Sequence, residues 1–554
     1  MYKKNLNAWP PGYPEDKPLA TQTVFENLQH SFDECADKSA LVFYDTKISY
    51  RELYDTVAQV AGWLVNCAGV AKGDRVAIIA QNSPQSVIAY YATLRAGAVV
   101  VPLNPMYVVE EVAYLLDDSN AKVIFSASDL SQAVAPAVKD RDVKVVGIAY
   151  NDYIREKTDL NVPAFILESL IAEELSGLPN YTAWSDVLAA NESAAVVNTA
   201  MDDLIVLPYT SGSTGMPKGC MHTNTSVQHG CVGVYDWHGI GRYDISLAIA
   251  PFFHVVGMQA GMNVAISRGA TLVIQPRWDR EVAAQTIQRY GVTVWPAVPT
   301  MVIDMMNMPN FDQFDISTLR SVFGGGSAMP ESVAIKLKEI CGVTFNEGYG
   351  MTETICPTTA NPPQAPRTNC VGLSVFNTHI RVVDPDTLQE VAEGENGEIL
   401  ISGPQVMQGY WRQPDANAES FVEMDGMRYL RSGDLGYIDK DGYVYIVDRI
   451  KRMINASGFK VWPTQVEAVM HRHPAVAEVC IIGTKDPKRG ETVKALIVPK
   501  SDVTANAEEI ELWSREHLAT YKVPRIIEFV ESLPKSGSGK VLWRELQEQE
   551  NRKA

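Results

Sequence analysis

Short apolar runs alternate with longer amphipathic segments through more than half of the chain. Runs such as RVAIIA from Arg75, AKVIFSAS from Ala121 and ATLVI from Ala270 are apolar at successive positions, not at every second one. Strands of this kind are typical of parallel sheets that helices cover on both faces. The sequence therefore predicts a multi-layer α/β domain in the first and larger part of the chain.

The pattern changes near residue 380 and again after Arg449. Between these points, apolar runs are separated by Pro-Asp and Asp-Gly turns, which indicates antiparallel strands. A chain of 554 residues is also too long for a single core. We predict an N-terminal domain over residues 1–450, with a β-rich part at about 375–447, and a small mobile α+β domain over residues 451–554.

The charge distribution narrows the choice of partners. The formal net charge is -18, although residues 449–554 hold 18 basic and 14 acidic side chains. An acidic surface repels nucleic acid and anionic lipid, so neither is expected as a partner. A small basic lobe on an acidic body indicates that the lobe meets an anion.

Cysteine usage and hydropathy favour the cytoplasm. The eight cysteines are irregularly spaced and include no CxxC pair, which favours reduced thiols over a zinc site or a disulfide framework. The N-terminus has no apolar region typical of a signal peptide. The most apolar window, from Ser86, is interrupted by Arg95 and Gly97, so we predict a helix and a strand there, not a membrane span.

The stretch TSGSTGMPKG, residues 210–219, directly follows an apolar strand and combines hydroxyl side chains, glycines and a lysine. A Walker A loop requires Ser or Thr after its lysine, whereas Gly219 follows Lys218, so this stretch is not that loop. Hydroxyls, backbone N–H groups freed by glycine and a lysine can still hold phosphate oxygens. We predict a phosphate-binding loop, with a Gly/Ser surface turn as the alternative.

Five ordered motifs identify a family. They are YTSGSTGMPKG at Tyr209, GYGMTE at Gly348, SGDLGY at Ser432, DRIKRMINASGF at Asp448 and PKSGSGK at Pro534. In this order and at these separations they resemble the adenylate-forming superfamily of acyl-CoA synthetases, firefly luciferase and peptide-synthetase adenylation domains. The resemblance covers nearly the whole chain. Within the superfamily, the sequence looks most like bacterial fatty acyl-CoA ligases.

The resemblance implies a site for ATP. Tyr349 would stack on adenine, Thr352 would contact the α-phosphate, and Glu353 would bind Mg²⁺. Asp434 and Arg449 would contact the ribose, since an acceptor-only carboxylate suits two hydroxyl donors. The other residues that we place at the nucleotide are Thr210, Ser211, Gly212, Ser213, Thr214, Gly215, Lys218, Gly326, Ser327 and Gly350.

Lys540 resembles the catalytic lysine of the family, on a mobile domain that swings about a hinge, here Lys451. Lys540 would enter for adenylation and withdraw when coenzyme A attacks. After the swing, the loop of residues 455–458 would line the pantetheine channel, with Ser457 and Gly458 at the cofactor. Asn455 and Asn224 depart from relatives that have lysine and histidine there, and His222, two positions before Asn224, receives no role.

The segment PFFHVVGM, residues 251–258, resembles the helix that lines the acyl pocket. It lacks the aspartate that pairs with a substrate ammonium in peptide-synthetase relatives, and a buried unpaired cation is costly, so an uncharged acyl tail is favoured. Either Trp237 or Trp295 would limit the chain length. The predicted pocket residues are Trp237, His254, Val255, Gly257, Met258, Val298, Gly324 and Gly325, with ordinary core packing as the alternative for valine and methionine.

These residues predict an AMP-forming acid:CoA ligase that activates a medium- or long-chain fatty acid, with ATP, Mg²⁺ and coenzyme A. Four alternatives stay open: an aryl or other small acid as substrate, transfer to a carrier protein, ATP binding without turnover, and oxygenation of the luciferase kind. A homodimer is also left open.

Overall fold

The computed structural model describes residues 8–170, 172–210, 216–326, 329, 331–456, 459–486, 490–500, 505–535 and 541–553. The chain forms two compact units. The larger comprises Leu6–His379 and Ser402–Glu419, and the smaller comprises Ile380–Ile401 and Ser420–Ala554. A mixed α/β chain with a large and a smaller domain confirms the predicted fold class. The boundary at residue 450, between the predicted N-terminal domain and the predicted mobile domain, stays a prediction.

The strands of the larger unit include the apolar runs that predicted it. They are β1 (Ser39–Phe43), β2 (Thr46–Ser49), β3 (Arg75–Ile79), β4 (Val99–Leu103), β5 (Ala121–Ala127), β6 (Lys144–Ile148), β7 (Tyr181–Ala183), β8 (Leu204–Val206), β9 (His222–Thr223), β10 (Ile245–Ala248), β11 (Thr271–Ile274), β12 (Val294–Pro296), β13 (Ser321–Gly324), β14 (Phe345–Tyr349), β15 (Thr359–Ala360) and β16 (Leu373–Ser374).

Two sheets organise these strands. One has nine strands in the order β16-β15-β14-β13-β12-β10-β11-β1-β2, and the other has seven in the order β7-β6-β5-β3-β4-β8-β9. The inner strands are parallel, while β2, β9, β15 and β16 pair in the antiparallel sense at the edges. The expectation of parallel strands in this part of the chain is confirmed.

Helices connect and cover the strands. They are α1 (Val24–Cys35), α2 (Tyr50–Asn66), α3 (Pro84–Arg95), α4 (Val109–Ser119), α5 (Ser131–Val138), α6 (Ala164–Leu167), α7 (Glu173–Ser176), α8 (Trp184–Ala189), α9 (Asn224–Tyr235), α10 (Val264–Ser267), α11 (Arg280–Tyr290), α12 (Pro299–Met306), α13 (Glu331–Cys341) and α14 (Pro414–Ser420). A π-helix, Val256–Asn263, leads into α10.

Burial on both faces explains why the apolar runs are continuous. Successive side chains of a strand point to opposite faces. In β11, Leu272 and Ile274 belong to the cluster that spans both sheets, whereas Val273 belongs to a second cluster with Trp295 and Val322. Every residue of this strand is therefore apolar or buried, as helix-covered parallel strands require.

The apolar window that begins at Ser86 forms α3 followed by β4, as predicted. Ser83 caps α3 by accepting a hydrogen bond from the N–H of Ser86, and Pro84 occupies the first turn. Within the described ranges, every helix is too short or too polar to cross a membrane.

The described part of the smaller unit contains two five-stranded sheets and three α-helices. The first sheet runs β17-β18-β20-β19, with β21 paired to β20, and the second runs β23-β22-β25-β24, with β26 parallel to β25. The elements are β17 (His379–Val383), β18 (Gly397–Ser402), β19 (Phe421–Met424), β20 (Met427–Ile438), β21 (Val444–Arg449), β22 (Ile454–Ala456), β23 (Phe459–Val461), α15 (Pro463–Met470), β24 (Val476–Asp486), β25 (Gly490–Pro499), α16 (Ala507–His517), β26 (Ile526–Phe529) and α17 (Trp543–Lys553).

Candidate active site

The predicted phosphate loop after β8 is closed at its base. The N–H of Thr210 donates to the carbonyl of Lys218 over 2.9 Å, and the N–H of Lys218 donates to Thr210 Oγ1 over 3.3 Å. Tyr209 and Gly219 form an antiparallel bridge beside them. Both ends of the loop are therefore held by backbone pairing. Ser211, Gly212, Ser213, Thr214 and Gly215 lie outside the described residues, so their phosphate contacts stay predictions.

A tyrosine connects the predicted phosphate lysine to the predicted magnesium ligand. The ammonium of Lys218 lies 5.0 Å from the ring centroid of Tyr410, a cation–π distance. The hydroxyl of Tyr410 donates to Glu353 Oε1 over 2.7 Å, and Glu353 is buried. Lys218 and Glu353 thus both contact Tyr410, Lys218 at the ring and Glu353 at the hydroxyl.

Backbone hydrogen bonds fix Tyr410 in this position. The N–H of Met407 donates to the carbonyl of Glu353 over 2.8 Å. Met221 and Gly409 are joined by a hydrogen bond of 2.9 Å, and Cys220 forms a bridge with Tyr410. The segment around Tyr410 therefore lies between the strand that follows the phosphate loop and the turn that carries Glu353.

A buried histidine holds the turn at Thr352. His222 Nε2 lies 2.8 Å from the carbonyl oxygen of Thr352. Burial lowers the pKa of His222 to about 4, so the ring is neutral near pH 7 and Nε2–H donates to that carbonyl. Asn224 contacts α1 instead: its Oδ1 accepts a hydrogen bond from the N–H of Val24 over 3.0 Å.

Glycines allow the backbones around Tyr349 to pack directly on one another. A Cβ on Gly324 would lie 1.7 Å from the carbonyl oxygen of Ala297, and one on Gly325 would lie 2.2 Å from that of Gly348. No side chain fits at either place, so the FGGG stretch sits against β12 and β14. Gly326 has φ +94°, which favours glycine, whereas Ser327 lies outside the described residues.

The predicted ribose contacts are neighbours in the smaller unit. Asp434 and Arg449 are paired residues of β20 and β21, and Arg449 Nε lies 2.7 Å from Asp434 Oδ1. Asp434 is buried, and Lys451 is exposed on the turn Ile450–Arg452. The N–H of Asn455 donates to Glu491 over 2.7 Å.

The loop that would carry the catalytic lysine is also closed at its base. Lys535 and Val541 form an antiparallel bridge, and the N–H of Leu542 donates to the carbonyl of Pro534 over 2.8 Å. Lys540, Ser457 and Gly458 lie outside the described residues, so their roles stay predictions.

Comparison with known proteins decides the family. A family model described as AMP-binding enzyme matches residues 28–411, and a model described as AMP-binding enzyme C-terminal domain matches residues 465–540. The chain belongs to the AMP-binding enzyme family. This confirms the predicted membership of the adenylate-forming superfamily.

Relatives of this AMP-binding enzyme match it end to end. It is 33% identical over 559 residues to a long-chain-fatty-acid–CoA ligase of Bacillus subtilis (strain 168), covering 98% of each chain. It is 34% identical over 499 residues to a feruloyl-CoA synthase of Amycolatopsis sp, covering 90% of this chain and 93% of the synthase. The crystal structure of ATP-bound MatB from Rhodopseudomonas palustris aligns with a TM-score of 0.84 at 28% identity, covering 96% of this chain and 99% of MatB.

Two of the eight predicted acyl-pocket residues of the AMP-binding enzyme lie in its main hydrophobic cluster. Val255 and Met258 are buried in the main hydrophobic cluster, and a Cβ on Gly257 would lie 2.2 Å from the carbonyl oxygen of Ala250. Val256–Asn263 is a π-helix, a conformation frequent at functional sites. His254 and Val298 are half-buried.

Trp237 is packed among other aromatic side chains. Its ring centroid lies 5.1 Å from that of Trp9 and 5.6 Å from that of Phe376, and its indole N–H donates to the carbonyl of Asn361 over 3.0 Å. Trp295 instead stacks on Trp278 at 6.0 Å. A role for either tryptophan in limiting chain length stays a prediction.

The residues of the AMP-binding enzyme fit a magnesium ion held by substrate. Within the described ranges, no group of three or more His, Cys, Asp or Glu side chains could hold a metal. Mg²⁺ commonly binds proteins through one or two carboxylates plus substrate phosphates. The buried carboxylate of Glu353, one oxygen of which is already held by Tyr410, suits that mode.

Two residues of the site were missed by the sequence analysis. Tyr410 lies in the sequence GYWR, an aromatic pair that gives no chemical signal of its own. His222 has no role that its sequence context indicates, because only its contact with the carbonyl of Thr352 reveals one.

Proposed function

We propose that this AMP-binding enzyme is an AMP-forming acid:CoA ligase that activates a medium- or long-chain fatty acid. The observation that carries the proposal is the buried Glu353 carboxylate, which accepts a hydrogen bond from the same Tyr410 that Lys218 contacts through its ring. A carboxylate that can hold a metal and a cation that can pair with phosphate, both at one tyrosine, suit a metal-bound polyphosphate. End-to-end similarity to a long-chain-fatty-acid–CoA ligase supports the choice of acid and thiol.

In the first step, an oxygen of the fatty acid carboxylate attacks the α-phosphorus of ATP, and pyrophosphate leaves with the bonding electrons. Both reactants are anions, so cationic groups must offset the charge that develops. Lys218 would neutralise the β- and γ-phosphates, and Lys540 would face the attacking oxygen and the α-phosphate. Mg²⁺ on Glu353 would supply further positive charge.

In the second step, the thiol of coenzyme A attacks the acyl carbonyl, its proton passes to solvent, and AMP leaves. Lys540 and the thiol would need the same face of the adenylate. We therefore keep the prediction of a hinge at Lys451, with residues 451–554 as the mobile domain that alternates between the two steps.

A small apolar cavity lies beside the predicted acyl segment. Phe252, Phe253 and Met262 contribute to its wall, together with Tyr90 and Val100. The apolar lining suits a hydrocarbon chain, but a volume of about 20 Å³ holds only about one water molecule, so a fatty acyl tail would require this wall to move apart. The segment from Pro251 to Met258 contains no acidic residue to pair with a substrate ammonium.

An aryl acid is the second candidate, because a feruloyl-CoA synthase is as similar in sequence as the fatty-acid ligase. The site chemistry is the same for both, and only the shape of the acyl pocket differs. A cytoplasmic location and a homodimer stay predictions.

A pyrophosphate-release assay across acids tests the proposal. We expect release with fatty acids of increasing chain length, weaker release with ferulate and benzoate, and acyl-CoA only when coenzyme A is added. Ferulate or benzoate as the best substrate would replace the fatty acid in the proposal. Pyrophosphate release without any thioester product, even with coenzyme A present, would overturn the assignment of the thiol.

Tyr410→Phe should lower kcat/KM for adenylation roughly tenfold, because Glu353 loses a hydrogen bond to its buried carboxylate. The phenyl ring keeps the cation–π contact with Lys218, so binding of ATP should change less. Pyrophosphate exchange at varied ATP measures both quantities. Tyr243→Phe, at a side chain that is 89% exposed, is the control. Unchanged exchange in Tyr410→Phe would remove this tyrosine from the site.

A further inference from the structure

The outer edge of β24 carries four hydrogen bonds with side chains that the proposed reaction does not use. β24 ends its sheet, so alternate residues present N–H and C=O groups with no neighbouring strand. At Ile481 and Gly483, side chains satisfy these groups instead. At these two residues, side chains take the place of a neighbouring strand.

One partner at Ile481, Arg452, adjoins the predicted hinge, and the other, Glu467, lies in α15. Arg452 directly follows Lys451, and its guanidinium donates to the carbonyl of Ile481 over 3.2 Å and to Glu467 over 2.5 Å. Glu467 in turn accepts from the N–H of Ile481 over 2.8 Å. Arg452 is therefore held at β24 by largely buried charged groups, and its guanidinium also lies 3.8 Å from Asp448, on the other side of the predicted hinge.

The partner at Gly483 comes from the helix that follows the lysine loop. Gln547 Oε1 accepts from the N–H of Gly483 over 2.9 Å, and Gln547 Nε2 donates to its carbonyl over 2.7 Å. The amide thus pairs with the edge as a peptide group of another strand would. Gln547 lies in α17, whose first residue, Trp543, is two positions after the bridge residue Val541.

Further contacts join these two anchors. The guanidinium of Arg452 lies 5.3 Å from the ring centroid of Trp543. Lys535, at the base of the lysine loop, donates to Glu478 of β24 over 2.8 Å. Ile482 of β24 packs in one cluster with Leu546, Val541 and Trp543. One strand therefore holds the hinge side and both ends of the loop.

We propose that the edge of β24 rigidly couples the hinge to the lysine loop, with Arg452 and Gln547 as positioning residues for Lys540. The proposal rests on the function proposed above. A rotation at Lys451 would move Arg452, β24 and the loop base as one body, which keeps the lysine on a fixed path. Small displacements of a catalytic group are costly, so loss of either anchor should impair the step that uses the lysine.

Gln547→Ala and its matched control Gln549→Ala, at an exposed position of the same helix, test the coupling. In Gln547→Ala, the exchange of backbone amide hydrogens should be roughly tenfold faster than in wild type. The effect should appear in the peptide that contains Gly483 and in the peptide that contains residues 541–546, as measured by mass spectrometry. Pyrophosphate exchange should fall about tenfold in kcat with KM for ATP unchanged. Thioester formation from supplied acyl adenylate should stay at the wild-type rate, and Gln549→Ala should match wild type throughout.

Arg452→Met should likewise lower the rate of pyrophosphate exchange and leave thioester formation from supplied acyl adenylate at the wild-type rate. Arg472→Met, at an exposed position, is its control. If Gln547→Ala folds poorly, Gln547→Glu keeps the acceptor for Gly483 and should show a smaller loss of the same kind. Unchanged hydrogen exchange, or equal loss in both half-reactions, would overturn the coupling. A wild-type enzyme that adenylates none of the acids, with faster exchange still seen in Gln547→Ala, would overturn the proposed function alone.

Discussion

Lys540→Ala should lower the rate of adenylation about a hundredfold or more, because the transition state loses a cationic partner of its developing charge. Thioester formation from supplied acyl adenylate should survive, since the lysine would have withdrawn by then. Pyrophosphate exchange measures the first half-reaction, and acyl-CoA formation from synthetic acyl adenylate measures the second. The expected result is a large loss in the first assay only.

Lys535→Ala is the control for this variant. It removes a lysine side chain at the base of the same loop, where the ammonium pairs with Glu478, and keeps the backbone bridge to Val541. It should retain far more adenylation than Lys540→Ala. If Lys540→Ala slowed both half-reactions equally, this result would contradict the alternation of the predicted mobile domain, residues 451–554, between two positions.

The fold could be predicted because its cause is visible along the chain. Leu272, Val273 and Ile274 are consecutive apolar residues, and the structure sends them alternately to two clusters. Burial on both faces leaves that signature in any short run of sequence. The antiparallel edges, such as β15 and β16, are only two residues long and leave no comparable pattern.

The site could be predicted only where a motif holds the residues together. Thr352 and Glu353 lie in one motif, but Tyr410 reaches Glu353 from 57 positions away. His222 contacts a backbone carbonyl 130 positions away. Contacts to a distant carboxylate or carbonyl leave no local pattern, so neither could be inferred from spacing.

The side-chain contacts at the edge of β24 could not be predicted from the sequence for a related reason. Gln547 is an ordinary polar residue on a charged helix, and nothing in its neighbourhood marks it as a partner of Gly483. Whether a strand lies at the edge of its sheet depends on the order of the strands, and the periodicity of the sequence does not indicate that order.

Glu353→Gln should lower adenylation by about a hundredfold or more, with a higher Mg²⁺ requirement. Glutamine has nearly the same shape, and its amide oxygen can still accept from Tyr410, so the change removes charge and leaves the packing intact. Pyrophosphate exchange measured across Mg²⁺ concentrations should show a rate that partly recovers as the metal is raised. Thioester formation from supplied acyl adenylate needs no polyphosphate and should persist.

Glu347→Gln separates this effect from the loss of any buried carboxyl group. Glu347 lies on β14, where burial raises its pKa to about 7, so its uncharged form is far more populated near neutral pH than that of an exposed glutamate. Its Oε1 accepts from the N–H of Met329 over 3.2 Å, a bond that glutamine can keep. Glu347→Gln should therefore adenylate at close to the wild-type rate, with an unchanged Mg²⁺ requirement. If Glu353→Gln behaved in the same way, the carboxylate beside Tyr410 would not be the group that faces the metal, and the charge balance proposed for the first step would have to be built on other residues.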